Sequence, residues 1–282
     1  MAVRPDSLNV VFTGGYGPAY EFAASISRDS GTTWTRFSLS GTGYGFCHAL
    51  EFAPSRSRTV YAGGEVLGAG AVYRSTDGGA TWARTASAPA DTIFELAVQP
   101  NDPDRVLAAT PSGLFVTADG GTSWSLLNNT TGSRAVAFHP AGPETLVCAG
   151  DSGAAISRDR GLNWSPMNVG LEGQVIRCLD FVEYGGWHLL AGTRNGACYA
   201  WQFSTGIAGL DLKPRPGLRV VPNPFVSTAT VPGHEREVFV VYDTDGRRVG
   251  MDRGARIGAG LPAGVYFVNR SGSDPVRIVK TR

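Results

Sequence analysis

Four aspartates stand in one register along this chain, each two residues after a hydroxyl side chain and two before a glycine, with a tryptophan closing the unit. The units are Ser27-x-Asp29-x-Gly31-x-x-Trp34, Ser75-x-Asp77-x-Gly79-x-x-Trp82, Thr117-x-Asp119-x-Gly121-x-x-Trp124 and Ser157-x-Asp159-x-Gly161-x-x-Trp164. A carboxylate array of this kind could do acid–base work or hold a cation. The company each aspartate keeps points instead to a turn. Glycine permits a positive φ, and the Asp and Ser/Thr oxygens can accept hydrogen bonds from the amides of their own hairpin. The tryptophan can then pack its ring beneath the turn. All four boxes are expected to be structural, capping hairpins at the periphery of a repeat.

Other reactive residue types give weaker patterns. His48, His139, His188 and His234 occupy separate repeats or domains, with no pair at metal-ligand spacing. His234-Glu-Arg-Glu-Val238 starts like a zinc-protease helix and fails at Val238. Cys47, Cys148, Cys178 and Cys198 show no Cys-x-x-Cys spacing and sit in apolar, strand-like runs. They are expected to be small buried residues, with disulfide pairing left open. Asp243-x-Asp245-Gly246 lacks the remaining ligands of a calcium loop, and Gly41-Thr-Gly-Tyr-Gly45 has no helix after it to make a phosphate loop. Glu183 and Tyr184 supply an adjacent Glu and Tyr, but neighbours on a strand face opposite sides. No Gly-x-Ser-x-Gly elbow is present. No catalytic residue, metal or cofactor is expected.

The elements that position the boxes repeat with them. The four tryptophans are 48, 42 and 40 residues apart, a period typical of propeller blades or solenoid turns. Ala49-Leu-Glu-Phe-Ala-Pro54, Leu96-Ala-Val-Gln-Pro100 and Ala135-Val-Ala-Phe-His-Pro140 each read as a strand ending in proline. Second strands follow at Thr59–Gly63, Arg105–Ala109, Thr145–Ala149 and Trp187–Ala191, and third strands such as Gly113–Thr117 enter the box. The fourth is expected to begin at or just before the tryptophan. Four short strands in about 40 residues read as one blade. A fifth, degenerate repeat begins at Val175 and lacks the box, with Trp201 as its substitute. Arg4–Gly14 matches the middle of a repeat, so Met1 is expected to fall inside a blade whose first strand is missing.

These box hairpins, each entered through a repeat with a proline-ended strand, resemble the BNR/Asp-box β-propellers. That group holds proteins of the photosystem II assembly factor, sortilin, sialidase and xyloglucanase types. The resemblance spans residues 1–207 and implies an all-β propeller of about four and a half to five blades, truncated at its N-terminus. The box is specific for the hairpin and silent on activity, because unrelated functions share it. The sialidases' N-terminal Arg-Ile-Pro element is absent from these residues. The expectation is therefore a noncatalytic, secreted or cell-surface propeller that binds a protein or glycan ligand. The alternative is a truncated glycosidase- or sialidase-like enzyme, which would require two opposed carboxylates or an arginine cluster with a Tyr/Glu pair.

A second object follows the repeats. Residues 208–217 read as a Gly/Pro linker, and strands are expected at Leu218–Val221, Glu237–Tyr242, Gly264–Val268 and Val276–Val279 in a small Ig-like sandwich over 218–282. Asn223-Pro224-Phe225, Val241-Tyr242-Asp243 with Gly246-Arg247, Leu261-Pro262-Ala-Gly264-Val-Tyr266-Phe-Val268 and a basic last strand ending at Arg282 occur in that order. This set is similar to the type A sorting domain of the bacterial type IX secretion system. The similarity implies export by that machinery through residues 218–282, to the medium or the outer cell surface, with the signal peptide lost upstream.

Composition agrees with this reading and narrows the partners. With Gly 38 and Pro 17 in 282 residues, turns dominate over long helices. Lys+Arg 25 against Asp+Glu 24 leaves a net charge of +1, too little field to gather nucleic acid or an anionic membrane. No apolar run is long enough to span a bilayer, so no membrane insertion is expected.

Overall fold

The computed structural model describes residues 1–41, 43–128, 132–167, 174–183, 186–196, 198–203, 226–231, 233–242, 247–269 and 276–281. The chain divides into two units, Met1–Lys213 and Pro214–Arg282. Among the described residues every regular element is a strand, and no helix is long and apolar enough to cross a membrane.

Among its described residues the first unit holds five antiparallel sheets in succession. The first comprises β1 (Ala2–Arg4), β2 (Ser7–Tyr16), β3 (Phe22–Ser27) and β4 (Thr35–Ser38), and the second β5 (Gly45–Ala53), β6 (Arg56–Val66), β7 (Ala69–Ser75) and β8 (Ala83–Arg84). The third is built from β9 (Glu95–Gln99), β10 (Asp102–Thr110), β11 (Gly113–Thr117) and β12 (Ser125–Asn128), and the fourth from β13 (Ser133–Phe138), β14 (Leu146–Gly150), β15 (Gly153–Ser157) and β16 (Ser165–Pro166). A three-stranded sheet follows, β17 (Ile176–Glu183), β18 (Trp187–Thr193) and β19 (Cys198–Phe203). Each is a meander in which neighbours in sequence are neighbours in the sheet. The first strands β5, β9, β13 and β17 run beside one another, each touching the next.

Packing between sheets explains the sequence pattern. Four apolar cores lie between the five sheets, and the middle strands are buried on both faces. In β14, Leu146 and Cys148 enter the core shared with the third sheet while Val147 and Ala149 enter the core shared with the fifth. That two-sided burial is why these strands read as unbroken apolar runs rather than as alternating ones. No sheet has enough core alone; each is stable only against its neighbours.

Four details differ from the sequence expectations. The first strand is not missing: Ala2–Arg4 supplies it, pairing Ala2 with Phe12 and Val3 with Val11. The fourth strands begin just after the tryptophans, at Thr35, Ala83, Ser125 and Ser165. Trp201 does not substitute for a box residue, because it lies within β19 opposite Leu189 and is buried in the core between the fourth and fifth sheets. Only Cys47 and Cys148 are buried; Cys178 and Cys198 are exposed, and all four are free thiols. Both exposed cysteines pair with Gly192 of β18, on the face of the last sheet turned away from the core formed with the fourth.

Among its described residues the second unit holds a four-stranded antiparallel sheet of β20 (Val238–Tyr242), β21 (Arg248–Arg253), β22 (Gly264–Asn269) and β23 (Val276–Lys280), in the order β21-β20-β22-β23. Phe239 and Val241 are buried and Val238 is exposed, the alternation its sequence shows. They join Ala229, Val231, Ile257, Tyr266, Val268 and Ile278 in one core. β21 carries alternating exposed residues and no apolar stripe, so it left little trace in the sequence. Leu218–Val221 and the linker lie outside the described residues.

Candidate functional site

Each box closes its own hairpin between the third and fourth strands of a sheet. The Ser27 hydroxyl donates to Asp29 Oδ1 at 2.7 Å and accepts from the Gly31 N–H at 2.7 Å. Asp29 Oδ1 also accepts from the Thr33 N–H at 2.8 Å, and Oδ2 from the Thr33 hydroxyl at 2.6 Å. The same circuit recurs at Ser75, Asp77, Gly79 and Thr81, at Thr117, Asp119, Gly121 and Ser123, and at Ser157, Asp159, Gly161 and Asn163. These hydrogen bonds hold the carboxyls below the ordinary range, Asp29 and Asp119 near about 2, with the residue-33 or residue-123 hydroxyl the largest cause. Both oxygens of every box aspartate are thereby engaged inside the turn. Two consecutive residues take positive φ, Ser30 and Gly31 in the first box and Arg160 and Gly161 in the last.

A further bond ties each hairpin to the chain entering the second strand, at the same end of its sheet. Ser30, Gly78, Gly120 and Arg160 donate their N–H groups to the carbonyls of Asn9, Arg58, Asp104 and Glu144. Trp34, Trp82 and Trp164 donate Nε1–H to the carbonyl of their own box glycine. Trp124 Nε1 has no partner among the described residues. Trp82, Trp124 and Trp164 pack on the cores shared with the preceding sheet, whereas Trp34, in the first sheet, is 43% exposed. A cleft of about 450 Å³ lies where the second box meets the first sheet, lined by Arg28, Thr35, Phe37, Leu39, Gly79 and Trp82.

The opposite ends of the sheets carry a different surface, which the sequence reasoning did not single out. In an antiparallel meander the turn from second to third strand and the crossover to the next sheet share the end away from the box. There Tyr16, Tyr20 and Tyr44 are 54%, 51% and 54% exposed. Tyr16 stacks on Tyr20 at 5.6 Å, Tyr20 on Tyr44 at 5.4 Å, and the half-buried Phe46 sets T-shaped contacts against both Tyr16 and Tyr44. The aromatic run continues through His48 to Phe94, whose ring lies under the Arg134 guanidinium. Arg134 is itself fixed by a two-pronged bond to Asp151. The ridge backbone is clamped: the Gly45 N–H donates to the Tyr20 carbonyl at 2.7 Å and the Leu67 N–H to the Tyr44 carbonyl at 2.6 Å. Tyr20 and the exposed Leu67 take φ of 60° and 55°, unusual for residues with a side chain. Tyr16 and Tyr20 flank Gly17-Pro18-Ala19, and that aromatic–turn–aromatic pattern was the signal available in the sequence.

A third group lies on the first strands. Burial, helped by the Asp180 charge, pushes the half-buried Glu51 carboxyl up to about 7. Glu95 rises to about 8, burial again leading and outweighing the Val136 N–H that donates to its Oε2 at 2.8 Å. Glu51, Glu95 and Asp180 thus feel one another from β5, β9 and β17. The histidines are dispersed: His48 lies on the ridge, His139 packs on Phe181 and Trp187, His188 Nδ1 meets the Gly186 carbonyl, and His234 pairs with Glu237. No cluster of three or more metal-ligating side chains occurs among the described residues. Glu183 ends β17, and Tyr184 lies outside the described residues.

In the second unit Leu261 packs against the core, and the Tyr266 hydroxyl donates to the Pro262 carbonyl at 3.0 Å, closing the loop before β22. Gly264 opens that strand, Tyr242 ends β20 half-buried, and Arg247 stands exposed before β21. Asn223, Pro224, Asp243 and Gly246 lie outside the described residues.

Among solved structures, the chain is similar to a GH74 xyloglucanase from Xanthomonas campestris (TM-score 0.57, 15% identity, 98% of this chain and 44% of that one). An ancestral GH74 enzyme matches with TM-score 0.58 and 16% identity over 72% of this chain and 30% of its own. YCF48 bound to D1 peptide matches at TM-score 0.53 and 14% identity, over 100% of this chain and 91% of that one. The fold is that of a β-propeller. The family model described as sortilin, neurotensin receptor 3, matches residues 70–179, from β7 of the propeller into β17. No curated protein matches by sequence. The chain spans less than half the length of either GH74 structure, and identities this low speak for the fold alone.

Proposed function

We propose that this protein is a noncatalytic binding propeller of the bacterial surface or surroundings, exported by the type IX secretion machinery through residues 218–282. One observation carries the binding role: an exposed tyrosine ridge is held on strained, hydrogen-bonded backbone at the sheet ends opposite the boxes. Large apolar side chains displayed together on a surface, with the backbone beneath them fixed, favour a recognition site. The box aspartates, by contrast, are spent on their own turns and offer no free carboxylate. YCF48 bound to D1 peptide, a structure of similar fold, supports this reading. The export role rests on the ordered motifs of the second unit, of which the Tyr266–Pro262 bond and the Leu261 contact give one, Leu261–Val268, a structural purpose.

A second reading keeps one supporting observation. Glu51 and Glu95 are carboxyls with raised pKa on adjacent strands, near Asp180, the kind of environment a general acid needs. Under that reading the chain is part of a glycosidase-like enzyme. The two are separated by incubating the full chain with xyloglucan and assaying new reducing ends; hydrolysis abolished by Glu51→Gln or Glu95→Gln would establish the enzyme. For export, a reporter carrying an export signal and fused to residues 206–282 should reach the surface or medium of a type IX-competent host. Equal delivery without the segment would leave the second unit structural only.

A further inference from the structure

We infer that Cys178 and Cys198 form a two-thiol site for one soft monovalent cation, copper(I), an inference independent of the tyrosine ridge. The thiols stand in one row across the last sheet: Cys178 of β17 and Cys198 of β19 each pair with Gly192 of β18, so both side chains project from the same face. Both are exposed and both are free. The residue between them carries no side chain, and Cys178 uses that space, for its Sγ lies 2.6 Å from where a Cβ on Gly192 would stand. The Cys178 thiol therefore leans over β18 toward Cys198. Burial first, and then the charge of Cys178, push the Cys198 thiol up, as two thiols in electrostatic reach of one another require.

Span and ligand count select the ion. Neighbouring strands lie about 4.8 Å apart, which sets the two Cα atoms about 9.6 Å apart, beyond the roughly 7 Å limit for a disulfide. The pair cannot close on itself, but two thiols leaning inward over Gly192 can meet an ion held between them. A linear S–metal–S unit has the widest reach of the thiolate geometries, about 4.6 Å with metal–sulfur bonds of about 2.3 Å, and a tetrahedral one spans less. No further ligands are at hand: no cluster of three or more metal-ligating side chains occurs among the described residues, and the next row on this face is Asp180, Leu190 and Ala200. Zinc requires a four-ligand shell. Copper(I), soft and satisfied by two thiolates, does not. Binding replaces the two thiol protons, which are released, and leaves a bis-thiolate unit with one net negative charge.

The test is an anaerobic titration of the full, reduced chain with copper(I) in competition with bicinchoninate. One ion per chain is expected, and loading should block alkylation of Cys178 and Cys198 by iodoacetamide. Cys178→Ser and Cys198→Ser should each weaken binding at least about 100-fold, since losing a ligand costs more than losing an outer-shell partner. Gly192→Ala is the sharper variant. Gly192 is an extended strand residue, so alanine suits its backbone, but the new Cβ meets Cys178 Sγ and turns that thiol off the row. It should weaken copper(I) binding about ten-fold or more, with an unchanged melting temperature and both thiols still open to alkylation. Absence of stoichiometric binding overturns the inference, as does binding that survives the loss of either thiol or is indifferent to Gly192→Ala. A Cys178–Cys198 disulfide formed within one chain on treatment with diamide would overturn it too, because the pair would then close on itself.

Discussion

Gly79 of the second sheet lies under the ring of Phe12 in the first, so close that a Cβ built on it would stand 2.2 Å from the Phe12 Cζ. The box glycine therefore does two things: it takes a φ of 85° and it lets one sheet seat on the next. Gly121 against Thr85 and Gly161 against Leu127 repeat the contact at the following junctions, with 2.5 Å and 2.6 Å to the nearest atom. Gly31 belongs to the first sheet, and its nearest neighbour is its own Trp34 ring at 3.7 Å.

Alanine at these positions should separate the two roles. Gly79→Ala meets both backbone strain and overlap with Phe12, and should cost about 2–4 kcal/mol. Gly31→Ala meets the strain only, about 1–2 kcal/mol. Urea unfolding of both variants measures the difference. Equal losses would mean that the turn alone requires glycine.

The tryptophans offer a sharper comparison. Trp82 donates Nε1–H to the Gly79 carbonyl at 3.2 Å, whereas Trp124 has no such partner. Trp124→Phe should therefore be milder than Trp82→Phe, by about 1 kcal/mol, because only the latter gives up a hydrogen bond. Trp124→Ala should cost about 3 kcal/mol through lost packing. Asp119→Ala should lower the melting temperature as the hairpin loses its acceptors for Ser123 and Thr117. If either Trp124→Ala or Asp119→Ala kept wild-type stability and lost binding at the tyrosine ridge, the box would have to be functional.

How much of this was legible follows from what each feature depends on. The boxes are local: a hydroxyl, an aspartate and a glycine within five residues close one hairpin, so Ser75, Asp77 and Gly79 announce it unaided. The strands were legible for the same reason, as apolar runs between turns. Ala2–Arg4 was not, because three residues carry no period, and their strand exists only through pairing with Val11 and Phe12. The exposure of Cys178 and Cys198 was hidden because it depends on which face of β17 and β19 meets the fourth sheet. The tyrosine ridge joins a turn at 16–20 to a crossover at 44–46, and the closeness of Glu51 to Asp180 joins strands more than a hundred residues apart. Neither juxtaposition has a local signature.

Acid should act through the boxes. Their carboxyls are held below the unfolded value by hydrogen bonds, Asp29 and Asp119 near about 2, with Asp77 and Asp159 also lowered. A group whose folded pKa is depressed contributes stability that is complete above the unfolded pKa and is lost as pH falls through the folded one. Stability from the boxes should therefore be flat above about pH 5 and fall between about 4 and 2. Melting curves of Asp119→Asn against the parent check this. The variant should start lower and lose less across that window; an identical acid slope would remove Asp119 from the account.

Glu51 and Glu95 predict the opposite slope in a different window. Burial holds their folded pKa at about 7 and about 8, above the ordinary carboxyl range. Between about pH 4.5 and 8 the folded chain therefore keeps protons that the unfolded chain releases, so stability falls as pH rises. The box aspartates are ionised in both states there and contribute no slope; His139, whose pKa burial lowers, contributes a rise, equal in parent and variant, so the comparison with the variant isolates the carboxyls. Glutamine mimics the neutral carboxyl, and its carbonyl can still accept the Val136 N–H that now meets Glu95. The Glu51→Gln/Glu95→Gln double variant should match the parent near pH 4.5, melt above it at pH 8, and lose most of the decline between. The same titration bears on the second functional reading, because an acid catalyst must hold its proton at working pH. A double variant that keeps the parent's own pH slope would show that both carboxyls ionise normally, and would remove the one observation that favours an enzyme.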